Sequence, residues 1–279
     1  MNQMNVNAGT QTVVMSTHWS SNCNSCASRL LTVIFVVHLL SEVHAVNQID
    51  VESDLQRLLG SCHMQSRDFN DCMQQALNDM RLYFKTGIPI YHIKPFEPQH
   101  SDYVELRRGV AGIAHGLGSY DLILRNVSEY GWSKSKVTKF EAKFEDQSIV
   151  FSQYFSDLSL EGLYEFNSSV VGTEIKRRGS WNLTLSDYSQ TTTITRAGGP
   201  GSLLKVLVEI DRIGDLKIHA TNLVGPSVNW MADTIFNSMW QVGLHFVKPM
   251  INELVSTAFT EIFNESFRFF PLEKFFSAT

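Results

Sequence analysis

The chain is 279 residues long, 43% hydrophobic and 18% charged, with a formal net charge of -5 at neutral pH. That length holds one large domain or two small ones. The mild acidity argues against nucleic acid as a partner, because a phosphate-binding surface needs concentrated basic charge.

The N-terminus reads as an export signal. Arg29 precedes an apolar run from Leu30 to Leu40. The run suits a signal core and is far short of the ~20 residues a membrane-spanning helix needs. Val43-His44-Ala45 then offers small residues at the two positions a signal peptidase reads. Residues 1–45 are expected to be a signal peptide with a long leader, within which Met15 is a second candidate start, and 46–279 the mature domain. An uncleaved anchor is the alternative. Cys23 and Cys26 would leave with the signal, so their CxxC spacing carries no redox or metal role. Cys62 and Cys72 remain, and an oxidising compartment pairs them by default. Asn126, Asn167, Asn182 and Asn264 each open an N-glycosylation sequon, as an exported chain carries.

Ile49 to Met64 and Phe69 to Thr86 predict a short helix pair. Leu55, Leu58 and Leu59 form one apolar stripe; Cys72, Ala76, Leu77 and Met80 form the other. Gly87-Ile88-Pro89 ends the second helix, and Ile90 to Pro98 reads as an extended connector. From about Tyr103 to Asn222 the pattern becomes β. Strands are predicted over 121–127, 136–144, 148–155, 158–166, 180–185, 191–195, 203–210 and 216–220. Several alternate charged and apolar residues, as a sheet with one wet and one dry face does. Gly131, Gly162, Gly172, Gly179 and Gly198-Gly199-Pro200-Gly201 punctuate them. No βαβ alternation appears, which excludes a doubly wound nucleotide-binding sheet.

The last element is the longest. From Asp233 to Arg268, apolar residues recur at three and four, through Ile235, Phe236, Met239, Trp240, Val242 and Phe246 to Phe263. A helix of that span is about 54 Å long. Asn237, Gln241, His245, Lys248 and Asn252 share one polar arc. After Pro249 the polar positions Ser256, Thr257, Thr260, Asn264 and Arg268 lie about a quarter turn away. Pro249 predicts a kink in one helix, or alternatively a break between two. The segment is too apolar to stand in water and too polar to span a bilayer. A one-sided sheet and an apolar helix satisfy each other if the sheet curls around the helix. Where side chains do not fill such a roll, it is an apolar tunnel.

The usual catalytic and nucleotide-binding signatures are absent: GxSxG, HExxH, the P-loop, and GxGxxG on a strand-to-helix turn. Gly112-Ile-Ala-His-Gly-Leu-Gly118 leads into a strand and reads as a turn. His92, His100 and His115 lie in or near loops, without metal-ligand spacing on a helix. Lys176-Arg177-Arg178 reads as a solvated hairpin tip. No enzyme activity, cofactor or metal is expected.

Several motifs in order then carry a resemblance. They are Cys62 and Cys72, Gly87-Ile-Pro89, Pro95-Phe-Glu-Pro98, Gly116-Leu-Gly-Ser-Tyr-Asp, and Leu163-Tyr164. They continue with Gly172, Gly179-Ser-Trp-Asn-Leu-Thr-Leu185, His219-Ala-Thr-Asn-Leu223, Phe236-Asn-Ser-Met-Trp240, Lys248-Pro249 and Phe270-Pro-Leu-Glu-Lys-Phe-Phe276. Over residues 50–276 the chain resembles the insect juvenile-hormone-binding and Takeout family of secreted carriers. The resemblance implies an α+β fold, with a highly curved antiparallel sheet rolled around one long C-terminal helix and a hydrophobic tunnel between them. The single remaining cysteine pair places the chain nearer the Takeout branch. The function expected is an extracellular, monomeric carrier of an elongated hydrophobic molecule, such as a terpenoid or fatty acid. Met239, Val242, Phe246, Met250 and Leu254 from the helix, with Phe151, Phe155 and Leu160 from strands, are the expected lining. Tyr154, Tyr164 and Trp240 are the candidate partners for a polar end, since each joins apolar area to one donor. Phe267, Phe269, Phe270, Phe275 and Phe276 are expected to tie down the C-terminus. The rival reading is an interaction protein with a packed roll, whose surface contacts a receptor or membrane.

Overall fold

The computed structural model describes residues 51–108, 119–170, 173–196, 198–199, 201–223 and 229–271. The leader with Met15, Cys23 and Cys26, the turn Gly112–Gly118 with His115, Gly172, and Phe275 and Phe276 lie outside them.

Two long strands make the spine. β4 (Ser148–Val170) and β5 (Thr173–Arg196) pair antiparallel from Ser148↔Thr195 to Val170↔Thr173. The sequence suggested four shorter strands here. Gly162 and Gly179 read as breaks, but both are close approaches. A Cβ at Gly162 would lie 3.0 Å from the Arg125 carbonyl oxygen, and one at Gly179 would lie 2.3 Å from that of Thr221. Glycine admits neighbouring backbone there without ending the strand. Lys176–Arg178 accordingly sit within β5, opposite Glu165–Asn167, and not at the hairpin tip.

Shorter strands flank each half of the spine. β3 (Lys136–Lys143) and β6 (Leu204–Arg212) flank one half. β2 (Ser119–Tyr130) and β7 (Asp215–Ala220) flank the other, and β1 (Gln99–Arg108) pairs with the far side of β2. The sequence did not delimit β1, because Pro95 and Pro98 mask its start. Register shifts at Arg125/Ser128, Val137/Lys139 and Ser189/Gln190 bend the sheet. Asn126 lies at the first of these with φ +50°, a conformation asparagine tolerates well.

Helix α1 (51–59) and α2 (Phe69–Asp79) are joined by the Cys62–Cys72 disulfide, with Cα atoms 5.5 Å apart. The expected helix to Thr86 instead tightens into a 3-10 turn over Met80–Phe84. α3 (Asn229–Phe267) is one 39-residue helix with Pro249 inside it, not two. It touches β6 and β7 on one side and β1 on the other. β1 and β6 end the strand path, so the sheet closes around the helix.

The polar arcs of α3 have a specific partner. The Leu204 N–H donates to Asn264 Oδ1 (2.9 Å) and the Asn264 amide donates back to the Leu204 carbonyl (2.8 Å). Thr260 and Ser256 likewise accept from the Val206 and Val208 N–H groups (3.1 and 2.8 Å), while the one hydrogen of each hydroxyl lies nearer the helix carbonyls of Ser256 and Asn252 (2.8 and 2.6 Å) than the strand carbonyls (3.2 and 3.4 Å). Asn252 accepts from Ile210 N–H (3.2 Å), and Asn237 brackets Ile218 of β7 (2.8 and 3.2 Å). Four helix residues rise about 6.0 Å and two strand residues about 6.6–6.8 Å. A polar residue every fourth position therefore keeps step with every second strand residue. On the opposite edge, Asn78 of α2 brackets Val137 of β3 (both 2.9 Å), and Asn70 accepts from Ala142 N–H (3.1 Å). Side chains thus cover sheet edges that would otherwise recruit foreign strands.

Candidate ligand-binding site

The interior divides along α3. One half holds the buried apolar cluster. Leu55, Leu59, Phe69 and Met73 from the N-terminal helices meet Trp132, Phe140, Phe155, Tyr188, Val206, Val208, Ile210 and Phe259. Trp132 is the hub, with its ring 5.3 Å from Phe155 and 5.6 Å from Phe259. Phe267 stacks on Phe96 (5.9 Å) and Phe270 meets Tyr91 edge-on (5.1 Å), which fastens the end of α3. Phe269 is exposed.

Among the described side chains the other half is looser. Among the described residues, α3 joins this cluster only from Ile251 onward. Before that point Ile235, Met239 and Val242, on successive turns of one helix face, are 54%, 57% and 65% exposed. Leu122, Leu124, Phe166 and Ile218 on the surrounding strands are only partly buried, while Leu183 and Leu216 beside them pack against the cluster. Apolar groups left this open on a helix and a sheet represent uncollected burial energy, roughly 25 cal/mol per Å².

The expected lining residues fall on both sides of that divide. Phe155 is fully buried in the packed half, with Phe151 and Leu160 half-buried against it. Met250 and Leu254 are half-buried near the middle of α3, and Trp240 is half-buried nearer its start. Phe246 belongs to α3, but its side chain is outside the described part. Of the polar candidates, Tyr164 is buried and donates to the Thr221 carbonyl (2.7 Å). Tyr154 points the other way: it is 36% exposed and donates to Asp187 (2.6 Å). Its place in the strand alternation differs from that of Phe151, Gln153 and Phe155 by one residue, which puts it on the opposite face.

The polar side chains that do face inward were missed by the sequence reading. Gln153, Gln190 and Thr192 are 3%, 3% and 0% exposed. They alternate in phase with Phe151, Phe155 and Tyr188, so polar residues at core-phase positions of two strands were the available signal. Glu129, on β2 opposite Leu160, adds a titrating group. Burial raises its carboxyl to about 7. The Trp132 indole N–H opposes the shift without closing a hydrogen bond of normal geometry, and the Glu97 charge adds to it. Glu97 itself accepts from the Gly131 and Ser133 N–H groups (3.0 and 2.7 Å). Burial also holds the Tyr188 phenol far above its ordinary range, with the Glu129 and Asp211 charges adding, so Tyr188 stays a donor. Among the described residues no group of three or more His, Cys, Asp or Glu is arranged to hold a metal, and no helix is long and apolar enough to cross a membrane.

Residues 34–277 match the family described as haemolymph juvenile hormone binding protein. No curated protein sequence matches the chain. Among solved structures, Takeout 1 of Epiphyas postvittana is similar at 15% identity, with a TM-score of 0.49, over 71% of this chain and 91% of that one. A lipopolysaccharide binding protein is similar at 12% identity, with a TM-score of 0.25, over 68% of this chain and 38% of that one.

Proposed function

Because the chain belongs to the haemolymph juvenile hormone binding protein family, we propose that it is a secreted carrier that holds an elongated apolar molecule between the sheet and α3. The observation that carries this reading is the contrast between the two halves of α3. One half is packed against a continuous core, while the other presents Ile235, Met239 and Val242 uncovered. An apolar chain laid there would collect the missing burial. Each methylene contributes about 0.8 kcal/mol, so a 16-carbon tail supplies a gross ~12 kcal/mol before association costs. In this reading residues 1–45 are the export signal and 46–279 the carrier domain. Met239, Val242, Phe246, Met250, Leu254 and Trp240 contact the ligand, with Leu160 and Tyr164 on the strand side.

The test is native mass spectrometry of the protein secreted from its own cells or a eukaryotic host, followed by extraction of anything it releases. A stoichiometric lipid, or uptake of a fluorescent fatty acid by the stripped protein, supports the carrier. A clean apo mass with no uptake overturns it in favour of a packed interaction protein.

A further inference from the structure

We propose that Gln153, Gln190 and Thr192 form a polar subsite, set in the apolar inner face of the sheet, for a neutral hydrogen-bonding head group on the ligand. This rests on the carrier reading above and adds the class of ligand: an alcohol, ester or amide in preference to an ionised fatty acid.

Each of the three is buried yet retains an unpartnered polar atom: Gln153 Oε1, Gln190 Nε2 and Thr192 Oγ. Gln153 and Gln190 are directly opposed across β4 and β5, and Thr192 occupies the next inward position, opposite Phe151. Gln190 and Thr192 also pair with Ile210 and Val208, whose N–H groups meet Asn252 and Ser256 of α3, so the set lies at the border between the two halves of the helix. Opposed residues sit about 5 Å apart and successive inward ones under about 7 Å. The three free atoms therefore fall within the reach of one small polar group.

Their orientation is fixed by the bonds they do make. Ser135 donates to the Trp132 carbonyl (2.7 Å), so its oxygen accepts from the Gln153 amide (2.6 Å). That leaves Gln153 Oε1 as a free acceptor. Tyr188 donates to Gln190 Oε1 (2.7 Å), which leaves Gln190 Nε2 as a free donor. The two glutamines face one another yet do not satisfy each other. A buried amide half without a partner is a standing cost, and native interiors hold few of them. Three in one cluster mark a place where something else supplies the partners.

The set offers one acceptor, one donor and one hydroxyl that serves as either. No Lys, Arg or His is among the buried described residues. Glu129 and Asp211 both act electrostatically on Tyr188. The nearby Arg81 guanidinium is committed to the Asn78 and Ser135 carbonyls. An anionic head group would enter without a buried countercharge and near the Glu129 and Asp211 carboxyls, whereas a hydroxyl or carbonyl oxygen meets matched partners.

The experiment is displacement of a fluorescent lipid by hexadecanol, methyl palmitate, hexadecane and palmitate, the last at a pH where it is ionised. Wild type is compared with Thr192→Val and Gln190→Met, which keep shape and volume. The wild type is expected to bind the alcohol and ester at least ~10-fold more tightly than the alkane or palmitate, the ratio one matched hydrogen-bond pair gives. Both variants should lose that preference and keep their affinity for hexadecane. Equal affinity for all four in the wild type, or a preference that survives both substitutions, overturns the subsite and leaves the carrier intact. If none of the four displaces the probe and the probe itself does not bind, the carrier reading falls and the subsite with it. The wild-type series decides the point even where a variant fails to fold.

Discussion

Glu129 makes the interior sensitive to pH, and the sign follows from its environment. Its carboxyl is raised from 4.5 to about 7 in the fold, first by burial. Below about 4.5 it is protonated in both folded and unfolded chains, and nothing is lost. Between about 4.5 and 7 the unfolded chain ionises first, so stability falls as pH rises; above about 7 the loss is complete, with an upper bound of roughly 3 kcal/mol. Glu129→Gln is expected to flatten that slope and raise the melting temperature at neutral pH. Thermal unfolding across this window checks it, and an unchanged slope would show that Glu129 is solvated. A second residue-scale expectation concerns Asn264. Its amide nitrogen donates to both the Leu204 and Thr260 carbonyls (2.8 and 2.7 Å), and a glycan would remove one of those hydrogens. Asn126 and Asn182 are exposed and carry no such duty. Peptide mapping after enzymatic deglycosylation should find modification at Asn126 and Asn182 and none at Asn264. The sequon was readable from the sequence, but its second use was not, because Leu204 is distant in the chain.

Between elements, the ladder from α3 to β6 replaces a missing strand. Ser256→Ala combined with Thr260→Val strips the acceptors from the Val206 and Val208 N–H groups. Each lost rung is expected to cost about 1–3 kcal/mol, because the strand's own groups are left unsatisfied. The urea midpoint should drop with the slope unchanged. No shift would mean that water replaces the hydroxyls. Removing the Cys62–Cys72 bridge, which closes a loop of 10 residues, should cost about 2–3 kcal/mol, measurable in the same titration with and without reductant. The sequence displayed the ladder only as two polar arcs a quarter turn apart. Seen alone, an Asn, Ser or Thr every fourth residue is an ordinary solvated face. It becomes a sheet edge only when β6 lies beside it.

For the whole molecule, the uneven packing of α3 predicts uneven dynamics. In the ligand-free protein, amides of 229–250 should exchange faster than those of 251–267, since among the described residues only the second half joins the buried cluster. A bound lipid should slow the first half selectively and raise global stability by about 2.7 kcal/mol at a hundredfold excess over Kd. Uniform protection along the helix would contradict the two-halved interior. The order helix pair, antiparallel sheet, long helix was legible in the sequence, as were the Cys62–Cys72 pair and the unbroken run through Pro249. Those features are local: they depend on periodicity, cysteine count and chain-stop residues that act within a few positions. The sequence left undecided that Gly162 and Gly179 are points of close approach, that Tyr154 faces outward, and that Gln153, Gln190 and Thr192 lie together inside. Each depends on which backbone packs against which face, and strand pairing over tens of residues sets that. A one-residue change of register reverses the face of every side chain, so only the tertiary structure decides it.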